Sequence, residues 1–228
     1  MDTLKNILKE YGLELQEVQV KKVALYLEEL LNVPYNLTAH RKLDSAIHKN
    51  VAEILVPLKG KSLKGTLLDV GSGNGVPGVI LAIFFPKLKV ILLDSKMKAT
   101  VFLKKITDKL NLNNVEIVEE RAENFSRERR ETFDYVTARA VARLNTLIEI
   151  CAPALKVGGE LFFYKGPSFE KEIREAKNAM NELGVKLKEV RSYSLKSGEK
   201  RVLLIFRKEK NSPEKYPRRV GIPFKRPL

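Results

Sequence analysis

One stretch, residues 67–78, constrains this 228-residue chain more than any other: it reads L-L-D-V-G-S-G-N-G-V-P-G. A short run, Thr66-Leu67-Leu68, leads into Asp69, and Gly71, Gly73, Gly75 and Gly78 follow. Val79-Ile80-Leu81-Ala82-Ile83 then begins an apolar helical segment. The pattern predicts strand, glycine loop and helix, an arrangement that turns backbone N–H groups and a helix N-terminus toward a ligand. Glycine lets a ligand approach the backbone closely and supplies positive φ where a tight turn needs it. Two readings fit. Residues 73–78 match G-x-G-x-x-G, the dinucleotide fingerprint. The longer reading is Asp69-x-Gly71-x-Gly73-x-Gly75, with an acid at the strand end. That acid suits a ligand with a cationic end, such as S-adenosylmethionine, where a dinucleotide would present a pyrophosphate.

The remainder alternates in the same way. Residues 89–93 predict a second strand ending in Asp94, and residues 96–110 a helix. Residues 115–118 form a third strand before Arg121-Ala122-Glu123, and residues 133–139 a fourth ending in Arg139. A helix over 144–155 is expected to close at Gly158-Gly159, with a fifth strand at 160–164 before Lys165-Gly166. Ser168 is placed to cap a helix running to Leu183, and residues 186–193 and 201–206 form a closing strand pair. Strands alternating with helices give a parallel sheet. The fold class is therefore α/β and Rossmann-like with an N-terminal helical cap, and a terminal hairpin inserted antiparallel would complete the seven-stranded sheet usual for the S-adenosylmethionine-dependent methyltransferase fold.

Three regions are expected. Residues 1–60 form a helical extension packed on the core, since Val23, Leu27, Leu30 and Leu31 share a face and no glycine-rich linker intervenes. Asn32-Val33-Pro34-Tyr35, similar to the N-P-P-Y of amine methyltransferases, precedes the first strand rather than following the fourth, and reads as a helix end. Residues 61–208 form the core. Residues 209–228 form a basic tail: from Arg207 to the end there are eight basic residues, two acids and four prolines. Lys215, Tyr216, Arg218 and Arg219 combine charge with an aromatic ring, which suits either an RNA-contacting arm, with Tyr216 stacking on a base, or a solvated disordered end.

Composition narrows the partner. The formal charge is +14, which favours a polyanion, most commonly nucleic acid. Glutamine is confined to Gln16 and Gln19 while Lys and Glu abound, as in heat-adapted proteomes, but habitat raises both signs together. No apolar run reaches the ~20 residues of a membrane span, and the N-terminus lacks a secretory apolar region, so a cytoplasmic protein without membrane contact is expected; a monomer is the separate expectation for its state. The single cysteine, Cys151, excludes an intrachain disulfide and lies in an apolar run, where it reads as a buried small hydrophobe. No nucleophile for pyrimidine C5 methylation is evident. The two histidines, His40 and His48, come with no Cys or carboxylate cluster at ligand spacing, so no metal is expected.

Ligands of open parallel sheets are touched by whatever follows each strand. Asp69 and the glycine loop follow the first. Asp94 is placed to accept hydrogen bonds from ribose hydroxyls. Ala122 and Glu123 are placed to meet an adenine edge. Arg139 could hold a phosphate, a base edge or a cofactor carboxylate. Arg121 and Lys165 add positive charge to the rim.

With these residues assembled, the chain resembles the bacterial family called glucose-inhibited division protein B, or ribosomal RNA small-subunit methyltransferase G. The resemblance rests on Y-N-L-T-A at 35–39, D-V-G-S-G-N-G-V-P-G at 69–78, L-D-S at 93–95 and F-L at 102–103. R-A-E at 121–123, A-R-A at 138–140, K-G at 165–166 and K-Y-P-R-R at 215–219 extend it over nearly the whole chain. It implies methyl transfer from S-adenosylmethionine to N7 of a guanine in 16S ribosomal RNA, free or in the small ribosomal subunit. It places cofactor contacts at Gly71, Val76, Asp94, Ala122 with Glu123, and Arg139, joined by Asp69 and Gly73 from the loop. Substrate candidates are Asn36, His48, Arg121, Lys165, Lys215, Tyr216, Arg218 and Arg219. Around His48 the chain departs from the family, with Ile47 before it and Lys49-Asn50-Val51-Ala52 after it, where the family usually has arginine and I-L-D-S. The competing readings are a nicotinamide-dependent oxidoreductase and a non-catalytic RNA-binding module.

Overall fold

The computed structural model describes residues 1–33 and 42–228. Asn36, His40 and the whole of the 35–39 motif lie outside the described residues. The chain opens with α1 (Asp2–Glu10) and α2 (Glu17–Leu31). A continuous helical run follows: α3 (Leu43–Ala46), a π-helical segment (Ile47–Ala52), α4 (Glu53–Leu55) and a 3-10 turn (Val56–Leu58). The core then alternates: β1 (Gly65–Val70), α5 (Gly78–Phe84), β2 (Leu88–Asp94), α6 (Met97–Lys109), β3 (Val115–Glu119), α7 (Ala122–Glu128), β4 (Phe133–Arg139), α8 (Leu144–Cys151) and β5 (Leu155–Lys165). Helices α9 (Phe169–Glu175) and α10 (Lys177–Leu183), strands β6 (Val185–Ser194) and β7 (Lys200–Lys208), and a short α11 (Ile222–Lys225) complete it.

The seven strands form one sheet in the order β3-β2-β1-β4-β5-β7-β6. Strands β1 to β5 run parallel, and β7 inserts antiparallel between β5 and β6. The chain fills one side of β1 with β2 and β3, then crosses to β4. That reversal opens a crevice at the carboxyl ends of β1 and β4, the usual ligand position in open α/β sheets.

Both sheet faces are covered, which is why the strands read as near-continuous apolar runs. Successive side chains of β1 part to opposite faces. Leu67 joins one buried cluster with Leu4, Val23, Leu27, Ile80 and Phe102. Leu68 joins the other with Leu147, Ile148, Phe163 and Phe206. The N-terminal helices share their cluster with α5, α6 and the sheet, as their apolar stripe predicts.

Two expected boundaries move. Gly158-Gly159 does not end a helix: α8 stops at Cys151, and both glycines lie inside β5. There the β4–β5 register shifts between Phe133 and Tyr135, and a Cβ on Gly159 would sit 2.9 Å from the Asp134 carbonyl oxygen. The helix expected from Ser168 to Leu183 divides at Ala176, and Ser168 makes no side-chain cap. Past the break Ala179 and Leu183 join Ala176 in the core, whereas α9 buries no residue.

The tail is the larger correction, being neither a free arm nor a solvated end. Arg130 on the α7–β4 loop donates to the carbonyls of Ser212 (2.5 Å) and Tyr216 (2.6 Å), and Arg127 donates to that of Pro217 (2.6 Å). Tyr216 is 5% exposed, with its hydroxyl 3.1 Å from a Glu182 carboxylate oxygen, so its ring is packed in the protein rather than offered to a base. Arg218 forms a two-pronged pair with fully buried Glu149 on α8, at 2.8 and 2.6 Å. Charge that reads as solvated in the sequence is thus matched by groups far away along the chain.

Candidate active site

A cavity of about 890 Å³ opens at the switch point. This lies within the range of small-molecule sites. Its walls come from the glycine loop (Gly71, Ser72, Gly73, Asn74, Val76), from Asp94 and Lys96 after β2, and from Arg121, Ala122 and Glu123 after β3. Arg139, Ala140 and Val141 after β4 close another side, with Asn50 and Phe224. Seven of the eight residues expected at the cofactor site line it: Gly71, Gly73, Val76, Asp94, Ala122, Glu123 and Arg139.

The loop is held from beneath. Gly71 and Ser72 donate to the Leu93 carbonyl (2.8 and 3.0 Å), so the chain leaves β1 still pinned to β2. Gly71 has φ +69°, and a Cβ there would lie 2.6 Å from a Val141 methyl. The A-R-A-V segment and the glycine loop therefore require each other. Ala140 itself adopts φ +57°, a left-handed conformation that non-glycine residues seldom take, and a small side chain tolerates it best.

Asp69 sits under the loop rather than on the cavity wall. It is fully buried, and one carboxylate oxygen accepts the Gly78 N–H at 2.9 Å at the start of α5. A Cβ on Gly78 would lie 2.6 Å from that oxygen, which explains the fourth glycine. Burial raises the Asp69 carboxyl from 3.8 to about 7; the Gly78 N–H and Arg139 oppose the rise, and Asp94 adds to it.

Asp94 bridges two segments. One oxygen accepts the Gly73 N–H and the other the Lys96 N–H, at 2.8 and 2.9 Å. A carboxylate has about four acceptor positions, so two remain for a ligand's hydroxyls. Glu123 is 1% exposed, and its Oε1 accepts the Gly221 N–H at 2.9 Å. The carboxylate thereby ties the C-terminal tail to the cavity rim. Beyond Gly221, Phe224 forms part of the wall, with the Arg121 guanidinium 5.9 Å from its ring centre.

Arg139 is mostly buried. It donates to the Lys49 carbonyl (2.5 Å) and the Asn50 side-chain oxygen (3.3 Å), with Glu53 at 3.8 Å. Tyr26, fully buried on α2, donates its hydroxyl to the Asn74 carbonyl at 2.9 Å. Tyr26, Asn50, Val141 and Phe224 are contributors that the motif reading missed. Tyr26 had one signal, a polar tip on an otherwise apolar helix face.

The substrate candidates scatter. Arg121 is at the mouth. Lys165 is mostly buried and donates to the Ala142 carbonyl and to Glu172, which itself accepts the Leu144 N–H at the start of α8. It is a strut for the loop after β4, not a rim cation. His48 pairs with the Tyr11 hydroxyl at 2.7 Å, and that hydroxyl also accepts the Lys196 N–H, so the ring faces the β6–β7 turn. Lys215 pairs with Glu182 and lies over the Tyr216 ring. Tyr216 and Arg218 are engaged in packing the tail as described, and Arg219 remains on the surface. Cys151 is fully buried, and burial pushes its thiol well above the ordinary range. Among the described residues no three His, Cys, Asp or Glu side chains converge as a metal site, and no helix is long and apolar enough to cross a membrane.

The family model described as rRNA small subunit methyltransferase G matches residues 19–203. The chain belongs to that family. A Thermotoga sp. (strain RQ2) protein named ribosomal RNA small subunit methyltransferase G is 72% identical over the full length of both chains. A protein of the same name from Pseudothermotoga lettingae is 46% identical, again over all of both. Another from Carboxydothermus hydrogenoformans is 41% identical over 99% of this chain and 98% of its own. Solved structures share the fold at low identity. The structure of M. jannaschii TYW2 in complex with AdoMet has a TM-score of 0.54 at 19% identity, covering 70% of this chain and 76% of that one. A 16S rRNA (adenine(1408)-N(1))-methyltransferase from Catenulisporales acidiphilia has a TM-score of 0.53 at 18% identity, covering 69% and 88%. The family match places the chain among the rRNA small subunit methyltransferases, and the solved structures share its fold.

Proposed function

We propose that the chain transfers a methyl group from S-adenosylmethionine to N7 of a guanine in 16S ribosomal RNA, acting as a cytoplasmic monomer on RNA or the small subunit. The observation that carries the reading is the cavity whose walls gather Gly71, Gly73, Asp94, Ala122, Glu123 and Arg139 in a member of this family. The residues fit the ligand. Asp94 retains acceptor capacity for a pair of ribose hydroxyls, and Ala122 with Phe224 offers an apolar surface for a flat base.

S-adenosylmethionine supplies an electrophilic methyl group on a cationic sulfur. The protein's task is to bring N7 in line with the methyl carbon and sulfur, which is catalysis by positioning. Guanine N7 offers an in-plane lone pair and has no proton to lose, so no general base is required. The base gains positive charge as the sulfur loses it. A guanidinium facing N7 would oppose that change, so Arg139 serves the cofactor or a phosphate instead. Arg121 at the mouth and exposed Arg219 on the tail face solvent, where they can meet phosphates. Residues 1–60 and 209–228 act as walls of the core at 61–208.

Incubation with isotopically labelled S-adenosylmethionine and undermethylated small-subunit RNA, followed by nucleoside analysis, tests the proposal. Label in 7-methylguanosine is expected. Label on an exocyclic amine or a ribose would overturn the N7 assignment.

A further inference from the structure

We infer that Asn50 recognises the carboxylate at the amino-acid end of S-adenosylmethionine, by donating a hydrogen bond from its side-chain nitrogen. The inference rests on the function proposed above and extends it to a residue in the stretch where the chain departs from the family pattern.

Asn50 lies in the π-helical segment and is fully buried, yet it contributes to the cavity wall. Single π-type turns recur at functional sites because the wider turn re-aims side chains and carbonyls. Here the segment presents the Lys49 carbonyl and the Asn50 amide to Arg139 together. The Asn50 oxygen accepts from the Arg139 guanidinium at 3.3 Å, and this fixes the amide's orientation. A flipped amide would set two donors against each other. The side-chain nitrogen is then left without a partner. A buried donor with no acceptor is costly, and native folds keep few of them.

The position along the cavity selects the acceptor. Asp94 marks the ribose and Ala122-Glu123 the base, so the stretch toward Arg139 and Asn50 is left for the amino-acid end. Among the described residues, the other buried side-chain polar atom without a partner is the second oxygen of Asp69, an acceptor. Of the two, only Asn50 lies on the cavity wall, where a ligand can meet it. An RNA phosphate is the competing anion. A polymer backbone cannot readily reach an amide that is wholly buried, whereas a small ligand lying inside the cavity can.

Calorimetry on the full chain with S-adenosylmethionine and with its decarboxylated analogue tests the inference. Asn50→Leu should lower affinity for S-adenosylmethionine about tenfold, the scale of one hydrogen bond to a charged group. Affinity for the decarboxylated analogue should stay within about twofold. Asn50→Asp keeps the size and an oxygen for Arg139 but removes the donor, so it should weaken S-adenosylmethionine at least as much. If Asn50 acted only by holding Arg139, Asn50→Asp would bind S-adenosylmethionine normally, and the inference would fail. Equal losses for the two ligands, or a loss confined to RNA affinity, would also overturn it. A wild-type chain that binds neither ligand would refute the methyltransferase reading itself, whereas normal wild-type binding with unaffected variants would refute only the role of Asn50.

Discussion

The N-terminal helices and the C-terminal tail reach the same cavity from opposite ends of the chain, but different forces hold them there. The helices are seated by apolar burial: Leu4, Leu8, Val23, Leu27 and Leu30 merge with the sheet's own core, and Tyr26 rides on that platform to reach Asn74. The tail has Tyr216 as its main buried ring and otherwise depends on polar ties, from Arg130, Arg127, Glu149 and Glu123. Apolar burial tolerates salt and pH. Polar ties depend on both partners being present and on their ionised side chains staying charged. The comparison teaches that a basic, proline-containing end can be part of a cavity wall, provided that the core supplies buried acceptors for it.

The largest effect should come from cutting the tail's central tie. Arg218→Ala leaves Glu149 buried with only a backbone donor, and removing one partner of a buried pair typically costs about 3–5 kcal/mol. Chemical denaturation should show the loss. Arg218→Met combined with Glu149→Met should recover most of it, because no charge is then stranded. A loss below about 1 kcal/mol would mean that the tail is held as an exposed pair would hold it.

On the helical side, Tyr26→Phe keeps the ring and removes one hydrogen bond to the loop. It should cost about 1 kcal/mol of stability and weaken S-adenosylmethionine through a looser Asn74. A change confined to ligand affinity would show that the loop, not the helix, registers the missing bond. Phe224→Ala should be milder still in denaturation, since the ring is part exposed, but should raise KM for S-adenosylmethionine more than it lowers kcat. If it lowers RNA affinity alone, the tail is an RNA arm after all.

Asp69 gives a pH test that belongs to neither end. Its carboxyl is raised to about 7 in the fold from an ordinary 3.8. Between those values the unfolded chain has lost a proton that the folded chain retains. Its contribution therefore favours the fold most below pH 4, declines as pH rises through that window and levels off above about 7. Asp69→Asn should remove this component from the slope of stability against pH over the same interval. An unchanged slope would contradict the assigned burial.

Regular features were legible in the sequence because they are local. The strand-loop-helix unit, the alternation of apolar runs and the acids at strand ends each declare themselves within a few residues. What escaped depends on partners far along the chain. Lys165 reads as a rim cation until Ala142 and Glu172 surround it. Arg218 reads as solvated until Glu149 meets it. Asp69 reads as a ligand contact, while Gly78 and the buried floor of the loop make it first a support. Asn50 and Tyr26 carry no motif, and only packing brings Asn50 to the cavity and Tyr26 to the Asn74 carbonyl behind it. Gly158-Gly159 misled because glycine serves a strand irregularity as readily as a helix end.

Calorimetry of the wild-type chain and Asp94→Ala with S-adenosylmethionine and with NAD tests the cofactor assignment most directly. An S-adenosylmethionine site with a ribose-binding Asp94 requires saturable binding of S-adenosylmethionine, little of NAD, and a loss of roughly 1–3 kcal/mol in the variant. Tight binding of NAD, or equal S-adenosylmethionine affinity in the two proteins, would contradict it.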